Sequence, residues 1–264
     1  MKFSIITTVL NNREHVESCI RSVLNQSYDD IEYIVIDGCS TDGTSEIIDR
    51  YRSGIAKFVC EPDNGIYDAL NKGIRAATGD VIGILHADDF YEHDKVVESV
   101  VKCMETGDVD SCYGNLLYVS KTGTNKIIRY WKSSPYYEGQ FKSGWMPPHC
   151  TFFVKKWVYE KYGLFRTDFK IAADYELMLR FLEKHRISTF YINDVLIRMR
   201  VGGVSNRSFN NILQKSYEDY RAWKVNGLHG GLSAVFLKNI SKLPQLLAYF
   251  KHSPLPISRH AQNG

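Results

Sequence analysis

Val81-Ile82-Gly83-Ile84-Leu85-His86-Ala87-Asp88-Asp89 sets a short apolar run directly before two adjacent acids. A run of this length, following a helical pattern that stops at Gly79, reads as a buried strand with its acids at the carboxyl end. Upstream, Glu32 to Ile36 reads the same way and closes on Asp37-Gly38-Cys39-Ser40-Thr41-Asp42-Gly43-Thr44. Phe3 to Val9 and Lys57 to Cys60 are two further strands. Helical periods lie between them. Val16, Cys19, Ile20, Val23 and Leu24 recur after a capping-box start at Asn11 and Glu14, and two more helices span about 44–51 and 66–77. Strands alternating with helices of this length predict an α/β fold with a mainly parallel sheet flanked by helices. In such sheets ligands bind beyond the carboxyl ends of the strands, which is where these acids fall.

The second half is patterned differently. Residues 113–150 carry Gly, Lys, Tyr, Trp and Pro with weak periodicity, which predicts loops and mixed strands. A strand-like Thr151 to Val154 precedes a helix over 155–162, and Asp174 opens another with Met178, Phe181 and Leu182 on one face. From Asn206 the chain reads as helical to about Phe250, interrupted near Gly227 to Gly231. The organisation expected is one large domain over 1–205, in two halves (1–115 and 116–205), with a helical extension over 206–264.

The 264 residues suffice for a large α/β domain, and 44% hydrophobic with 24% charged residues is a folded chain's balance. A net charge of +3 is too small to indicate nucleic-acid binding. Six cysteines without a Cys-x-x-Cys pair read as reduced thiols, mostly core filler, in a cytoplasmic protein. Met1 to Ile6 runs straight into a strand and does not resemble a signal peptide. No stretch approaches the ~18–20 apolar residues of a membrane span.

Taken alone, the octapeptide from Asp37 fits either a polar ligand held over a helix N-terminus or a plain turn capped by Asp42 or Ser40. Asp88 and Asp89 repel each other unless hydrogen bonds or a cation compensate, and a hard divalent ion takes such oxygens. The alternative is that one of them merely caps the next helix.

The ordered series of motifs resembles the family-2 inverting glycosyltransferases of the GT-A fold. The matching blocks are Ser4 to Asn12, Ser22 to Tyr28, Ile34 to Thr44, Asp63-Asn-Gly65, Asn71-Lys-Gly73, Ala77-Thr-Gly-Asp80 and the acidic pair, resuming at Gly163 to Arg166 and Lys170 to Arg180. The resemblance implies a nucleotide-sugar donor, with UDP favoured and GDP open, and Mn²⁺ or Mg²⁺. It places Thr7 and Val9 against the base and ribose, and has Asp37 accept the imide N–H of uracil. Asp88 would face the ribose or the metal, Asp89 would be the main metal ligand, and Arg75 is a candidate for the base or diphosphate. One departure stands out: the family's Asp-x-Asp motif has His86 in its first position here.

The family carries its general base at the start of a helix in the second half. The matching segment is Ala172-Ala173-Asp174-Tyr175-Glu176, so Asp174 is the expected base, with Ala173 in place of the preceding Glu. A helix N-terminus holds such a carboxylate ionised, which suits late proton transfer from the acceptor hydroxyl. Arg198 and Arg200, in a segment read as a loop after the base helix, could clamp diphosphate as Gly202 and Gly203 let that loop close. Solvated arginines on a structural turn would look the same. Trp145-Met-Pro-Pro-His149 falls where an acceptor pocket is expected, and core packing explains Trp145 equally well.

The tail over 232–251 places Val235, Phe236, Leu243, Leu246, Leu247 and Phe250 among Lys238, Lys242 and Lys251. Such a helix either lies on an anionic membrane surface or packs on the catalytic domain. The expected activity is transfer to a saccharide acceptor, carried on polyprenyl diphosphate at the cytoplasmic membrane face, in bacterial surface polysaccharide or O-antigen synthesis. Two alternatives stand beside it. A sugar nucleotidyltransferase would want a basic Gly-rich loop where this chain has Val9 to Glu14, and a non-catalytic nucleotide-sugar-binding protein would not need all the acids.

Overall fold

The computed structural model describes residues 1–201 and 209–240. The four expected parallel strands are β1 (Phe3–Val9), β2 (Ile31–Asp37), β3 (Lys57–Cys60) and β4 (Val81–Ile84), side by side in the order β3-β2-β1-β4. Both faces are covered, which is why β1 and β2 read as near-continuous apolar runs. Phe3, Ile5 and Val9 pack with Val16, Cys19, Ile20 and Val23 of α1 (Val16–Leu24). Ile6 points the other way, to Leu70 and Ile74 of α3 (Ile66–Ala76). α2 (Thr44–Asp49) follows β2.

The start of α1 differs from the expectation. Its first turn is closed by the Asn12 carbonyl accepting from Val16 N–H at 3.0 Å. Asn11 is no cap; it sits at φ 49°, and its side-chain oxygen accepts from Thr41 N–H at 2.8 Å. The pattern Asn11 to Glu14 is therefore a clasp between two loops, made possible by asparagine's tolerance of the left-handed region.

Past β4 the sheet becomes mixed. After β5 (Phe90–Tyr91) and α4 (Val96–Gly107) come β6 (Ser111–Val119) and β7 (Ile127–Trp131), then β8 (Phe153–Lys155) and α5 (Lys156–Tyr162). α6 (Ala173–Leu179) runs into a π-helical stretch over Arg180–Lys184, and β9 (Thr189–Arg200) returns to the sheet. The full order is β3-β2-β1-β4-β8-β6-β9-β5 with β7 on β6; β8 is antiparallel to both neighbours, while β6 and β9 are parallel. One sheet therefore runs through both expected halves. Arg198 and Arg200 lie in β9 and not in a loop.

The helical extension packs onto the domain through α7 (Phe209–Val225) and α8 (Gly231–Ile240). Trp223 is buried and donates its indole N–H to Tyr175 Oη at 2.9 Å. Lys238, expected among membrane-facing cations, is buried against Asp219 at 2.8 Å and lies over the Tyr175 ring. Leu232 and Phe236, at 71% and 65% exposure, form the outer side of α8. The remaining tail positions, 242–251, lie outside the described residues. Among those described, no helix is long and apolar enough to cross a membrane.

A buried carboxylate fixes β4 beside β1. Glu32 accepts from Ser4 Oγ at 2.6 Å, from Thr78 N–H at 2.7 Å and from Thr78 Oγ1 at 2.7 Å, and Gly79 N–H reaches Ser4 Oγ at 2.9 Å. A Cβ at Gly79 would stand 2.8 Å from Ser4 N, so this turn admits no larger residue without moving β1. Burial works to raise the Glu32 pKa, but the bonds from Ser4 and Thr78 and the Lys57 charge win and hold it at about 2. The depressed value means that Glu32 stabilises the fold by about 3 kcal/mol above its unfolded pKa. That stabilisation is lost as pH falls from about 4.5 through about 2. Glu32→Gln is expected to lower stability at neutral pH, with the gap from wild type narrowing across that acid window in denaturant titrations.

Candidate active site

Asp37, Asp88 and Asp89 all stand at carboxyl ends of parallel strands, yet their side chains are used differently. Asp37 is fully buried: one oxygen accepts from Ser40 N–H at 2.9 Å and Ser40 Oγ at 2.6 Å, the other from Ser45 Oγ at 2.5 Å. Through these bonds it holds the 38–45 loop in shape. That loop is tied in turn to the one after β1, since Asn11 N–H donates to Ser40 Oγ and Asn12 N–H to Thr44 Oγ1. The surface the loops leave at the β1 and β2 ends is Leu10, 61% exposed, beside Gly38 and Asp63. A Cβ on Gly38 would lie 3.0 Å from Asp63 Oδ2 and 3.3 Å from Leu10 Cδ1. Lys72 secures Asp63 through its other oxygen at 2.6 Å.

Two expected nucleotide contacts face elsewhere. Thr7 points into the α1 side of the core, where its hydroxyl accepts from Tyr33 Oη at 3.2 Å and meets Cys19 Sγ at 3.7 Å. Val9 shares that face and is also buried. Strand alternation explains both, because residues 3, 5, 7 and 9 all turn the same way. Arg75 sits on the exposed side of the last turn of α3. A helix antiparallel to its strands places its C-terminus at their amino ends, so Arg75 lies about 14 Å of helix rise away from the site.

The acidic pair divides its labour. Asp89, expected as the main metal ligand, is completely buried and accepts from Arg200 N–H at 3.2 Å and from Cys150 Sγ at 3.8 Å. Burial and then Asp88 push its pKa well above the ordinary carboxylate value. Asp88 is only half-buried, and its backbone carbonyl is what Arg200 binds, through Nη1 at 2.5 Å. The Asp88 carboxylate is thus the accessible one of the two. Arg200 also donates to Ser18 Oγ at 3.0 Å and lies over the Phe90 ring at 4.7 Å, while Arg198 pairs with Glu92 and donates to Thr124 O at 3.2 Å. Through these contacts both arginines stitch the edge of the sheet together.

Asp174 lies in the first turn of α6, half-buried, and lines a cavity of about 80 Å³ with His86, His149, Tyr67, Phe165 and Met178. Its helix is held by the extension: Glu218 of α7 accepts from the N–H groups of Lys170, Ile171 and Ala172 at 2.8–3.0 Å. Glu218 thereby fixes the segment that leads into α6, from Lys170 to the N-cap Ala172. Burial works to raise the Asp174 pKa, but His149, Lys215, Lys238 and the Tyr175 N–H together hold it below the ordinary value. His149 Nδ1 faces Asp174 Oδ2 at 3.4 Å, and the His86 and His149 rings stand 6.3 Å apart. Burial and His149 lower the His86 pKa against the pull of Asp88 and Asp174, and among the described residues its buried Nδ1 meets no partner. Trp145 packs with Tyr113, Tyr136 and Phe141, and so belongs to the core rather than to the cavity wall.

Residues 4–160 match the sequence profile described as glycosyl transferase family 2. The chain belongs to that family. An uncharacterized glycosyltransferase of Mycobacterium tuberculosis is 34% identical over 183 residues, 67% of either chain. A PGL/p-HBAD biosynthesis glycosyltransferase of Mycobacterium bovis is 28% identical over 209 residues, 77% of this chain and 79% of that one. Among solved structures, S. aureus TarS 1–349 superposes with a TM-score of 0.68 at 16% identity, covering 97% of this chain and 76% of that one. A Pyrobaculum calidifontis mannosyltransferase, solved with GDP-Man and Mn²⁺, gives 0.62 at 19% identity with the same coverage. The GT-A architecture and the class, a glycosyltransferase, therefore stand, and the nucleotidyltransferase alternative falls away.

In this family-2 enzyme the sequence reading missed Leu10 and Glu218 as parts of the candidate site. His149 was in view as the end of the Trp145 segment, but nothing in the sequence paired it with Asp174. The split between the two acids gives a direct expectation. Asp89→Ala should destabilise by about 1–3 kcal/mol by orphaning the buried Arg200 N–H. Asp89→Asn keeps an acceptor without a desolvated charge and should stay within about 1 kcal/mol of wild type. Asp88→Asn should melt like wild type yet lose metal-dependent activity, as thermal melts and donor-hydrolysis assays will test.

Proposed function

We propose that this glycosyltransferase moves a hexose or N-acetylhexosamine from a nucleotide sugar, UDP-linked, to a saccharide hydroxyl with inversion. The observation that carries the reading is a single ionised carboxylate, Asp174, lining the same cavity as His86, two residues before the accessible Asp88. A carboxylate so placed serves as the base of an in-line displacement, taking the acceptor proton as the bond to the anomeric carbon forms. Its lowered pKa makes it a base only late in that step, when the attacking hydroxyl has become acidic.

The donor base lies on Leu10 and Gly38, with Asp63 at its edge and Asp37 holding the loop beneath. Asp88 supplies the oxygen ligand for Mn²⁺ or Mg²⁺, a donor type that suits a hard cation shared with diphosphate oxygens. The neutral imidazole of His86, two residues earlier, is compatible with Mn²⁺ and adds no competing charge. When bound, the ion neutralises charge developing on the departing diphosphate. Solved proteins of this fold include complexes with UDP-GlcNAc and with GDP-Man plus Mn²⁺, so both donor classes fit the architecture.

The acceptor in this reading is a lipid-linked saccharide of a bacterial surface polysaccharide, reached from the cytoplasmic membrane face. Leu232 and Phe236 on the outer side of α8 support surface attachment through 232–251. A full-length protein carrying Leu232→Ser and Phe236→Ser that still pelleted with anionic vesicles would count against it.

Asp174→Asn is expected to cut transfer by about 10²–10⁴ while leaving donor affinity unchanged. Turnover assayed across a panel of nucleotide sugars with Mn²⁺, beside donor binding by calorimetry, checks both the base and the donor. Wild-type-like turnover in the variant would end the assignment of Asp174.

A further inference from the structure

His149 stands on a short 3-10 turn, His149–Thr151, that is fastened on three sides. Thr151 Oγ1 donates to Gly114 O at 3.0 Å, which ties the turn to β6. Thr151 N–H bonds Pro148 O at 3.0 Å, and Cys150 Sγ meets the buried Asp89. The imidazole is therefore delivered to the cavity from a backbone with little freedom. There its Nδ1 meets Asp174 Oδ2 at 3.4 Å, with 26% and 23% of the two side chains exposed. Such exposure leaves room for an acceptor hydroxyl beside the pair.

We propose that His149 is a positioning residue for Asp174, on the reading of Asp174 as the general base. A carboxylate in the first turn of a helix can rotate between several rotamers, only some of which aim an oxygen into the cavity. By engaging Oδ2 with Nδ1–H, His149 fixes one rotamer and leaves Oδ1 to the acceptor. The same contact favours the ionised form that the reaction needs. A base held this way is oriented before substrate arrives, and orientation is a large part of what a general base contributes.

The other groups around Asp174 do not take over this task. Lys215 and Lys238, from α7 and α8, act on it through their charge while their ammonium groups bond Asp219. Tyr67, from α3, takes the N–H groups of Ala173 and Asp174 on its hydroxyl and so holds the backbone. His86 and Cys150 sense Asp174 electrostatically from the ends of β4 and the turn. Among the described residues, His149 is the side chain that meets the Asp174 carboxylate oxygen as an ion-pair partner.

The test compares His149→Ala, His149→Asn and Asp174→Asn in the full chain, with steady-state kinetics over a range of pH. His149→Ala should lower kcat about 10- to 100-fold, less than loss of the base itself, with donor KM unchanged. Its acid limb should move to higher pH, because Asp174 loses the neighbour that favours its ionised form. His149→Asn, which returns an N–H donor near the Nδ1 position, should recover most of kcat, and a merely structural role would not produce that rescue. Combining His149→Ala with Asp174→Asn should add no further loss. Wild-type kcat and an unmoved acid limb in His149→Ala, with Asp174→Asn inactive, would overturn the positioning role alone. Wild-type turnover in Asp174→Asn would instead overturn the base on which it rests.

Discussion

The buried carboxylate of Asp89 is the constraint on which the rest of the site depends. It carries no exposed surface, and its pKa is raised by burial and by Asp88, so it is an expensive group to keep inside a protein. What it gains is convergence. Its oxygens receive Arg200 N–H from the end of β9 and Cys150 Sγ from the turn that bears His149, while its own chain is the end of β4. Arg200 then reaches back to the Asp88 carbonyl and to Ser18 beside α1. Three distant segments are drawn together by one side chain, and Asp88 is left facing outward as a consequence.

A second constraint works from the other direction. The segment that leads into the helix carrying Asp174 is held by Glu218 of α7, which accepts from the N–H groups of Lys170, Ile171 and Ala172. Burial raises the pKa of Glu218, but Gln214 and these three N–H groups bring it below the ordinary value, so the carboxylate is ionised. The helical extension is therefore part of the site's architecture and not an appendage to it. Lys238 makes the same point, since it is buried against Asp219 and contributes positive potential at Asp174. Asp174 is tuned by a segment some forty to sixty residues beyond it in the chain.

Between these two constraints lies a cavity whose wall is mostly apolar, from Tyr67, Phe165 and Met178 among others. Its polar groups are few: the Asp174 carboxylate and the imidazoles of His86 and His149. In such surroundings charge–charge interactions are weakly screened, so one imidazole at 3.4 Å matters more than it would at the surface. The replacement of an acid by His86 also reduces the negative charge at the strand end. Asp89 is buried there with His86, and not another carboxylate, three residues before it.

The sequence by itself determined the parallel half of the sheet and the positions of its acids. The reason is local: continuous apolar runs such as Ile5-Ile6 and Tyr33 to Ile36 are buried on both faces, and their strand ends can be counted off directly. It also determined the family, because several short motifs in a fixed order constrain one another. What it could not supply was the direction of individual side chains. Thr7 turns to the core by strand alternation, Arg75 is carried to the far end of α3 by helix rise, and Asp37 is closed in by Ser40 and Ser45. β6 and β9 escaped the reading because they pair with each other across some eighty residues, a contact that no local period records. The exchange of roles between Asp88 and Asp89 and the meeting of His149 with Asp174 were decided only by tertiary structure. Both depend on which distant N–H or ring a carboxylate meets, and that partner is set by packing and not by sequence spacing.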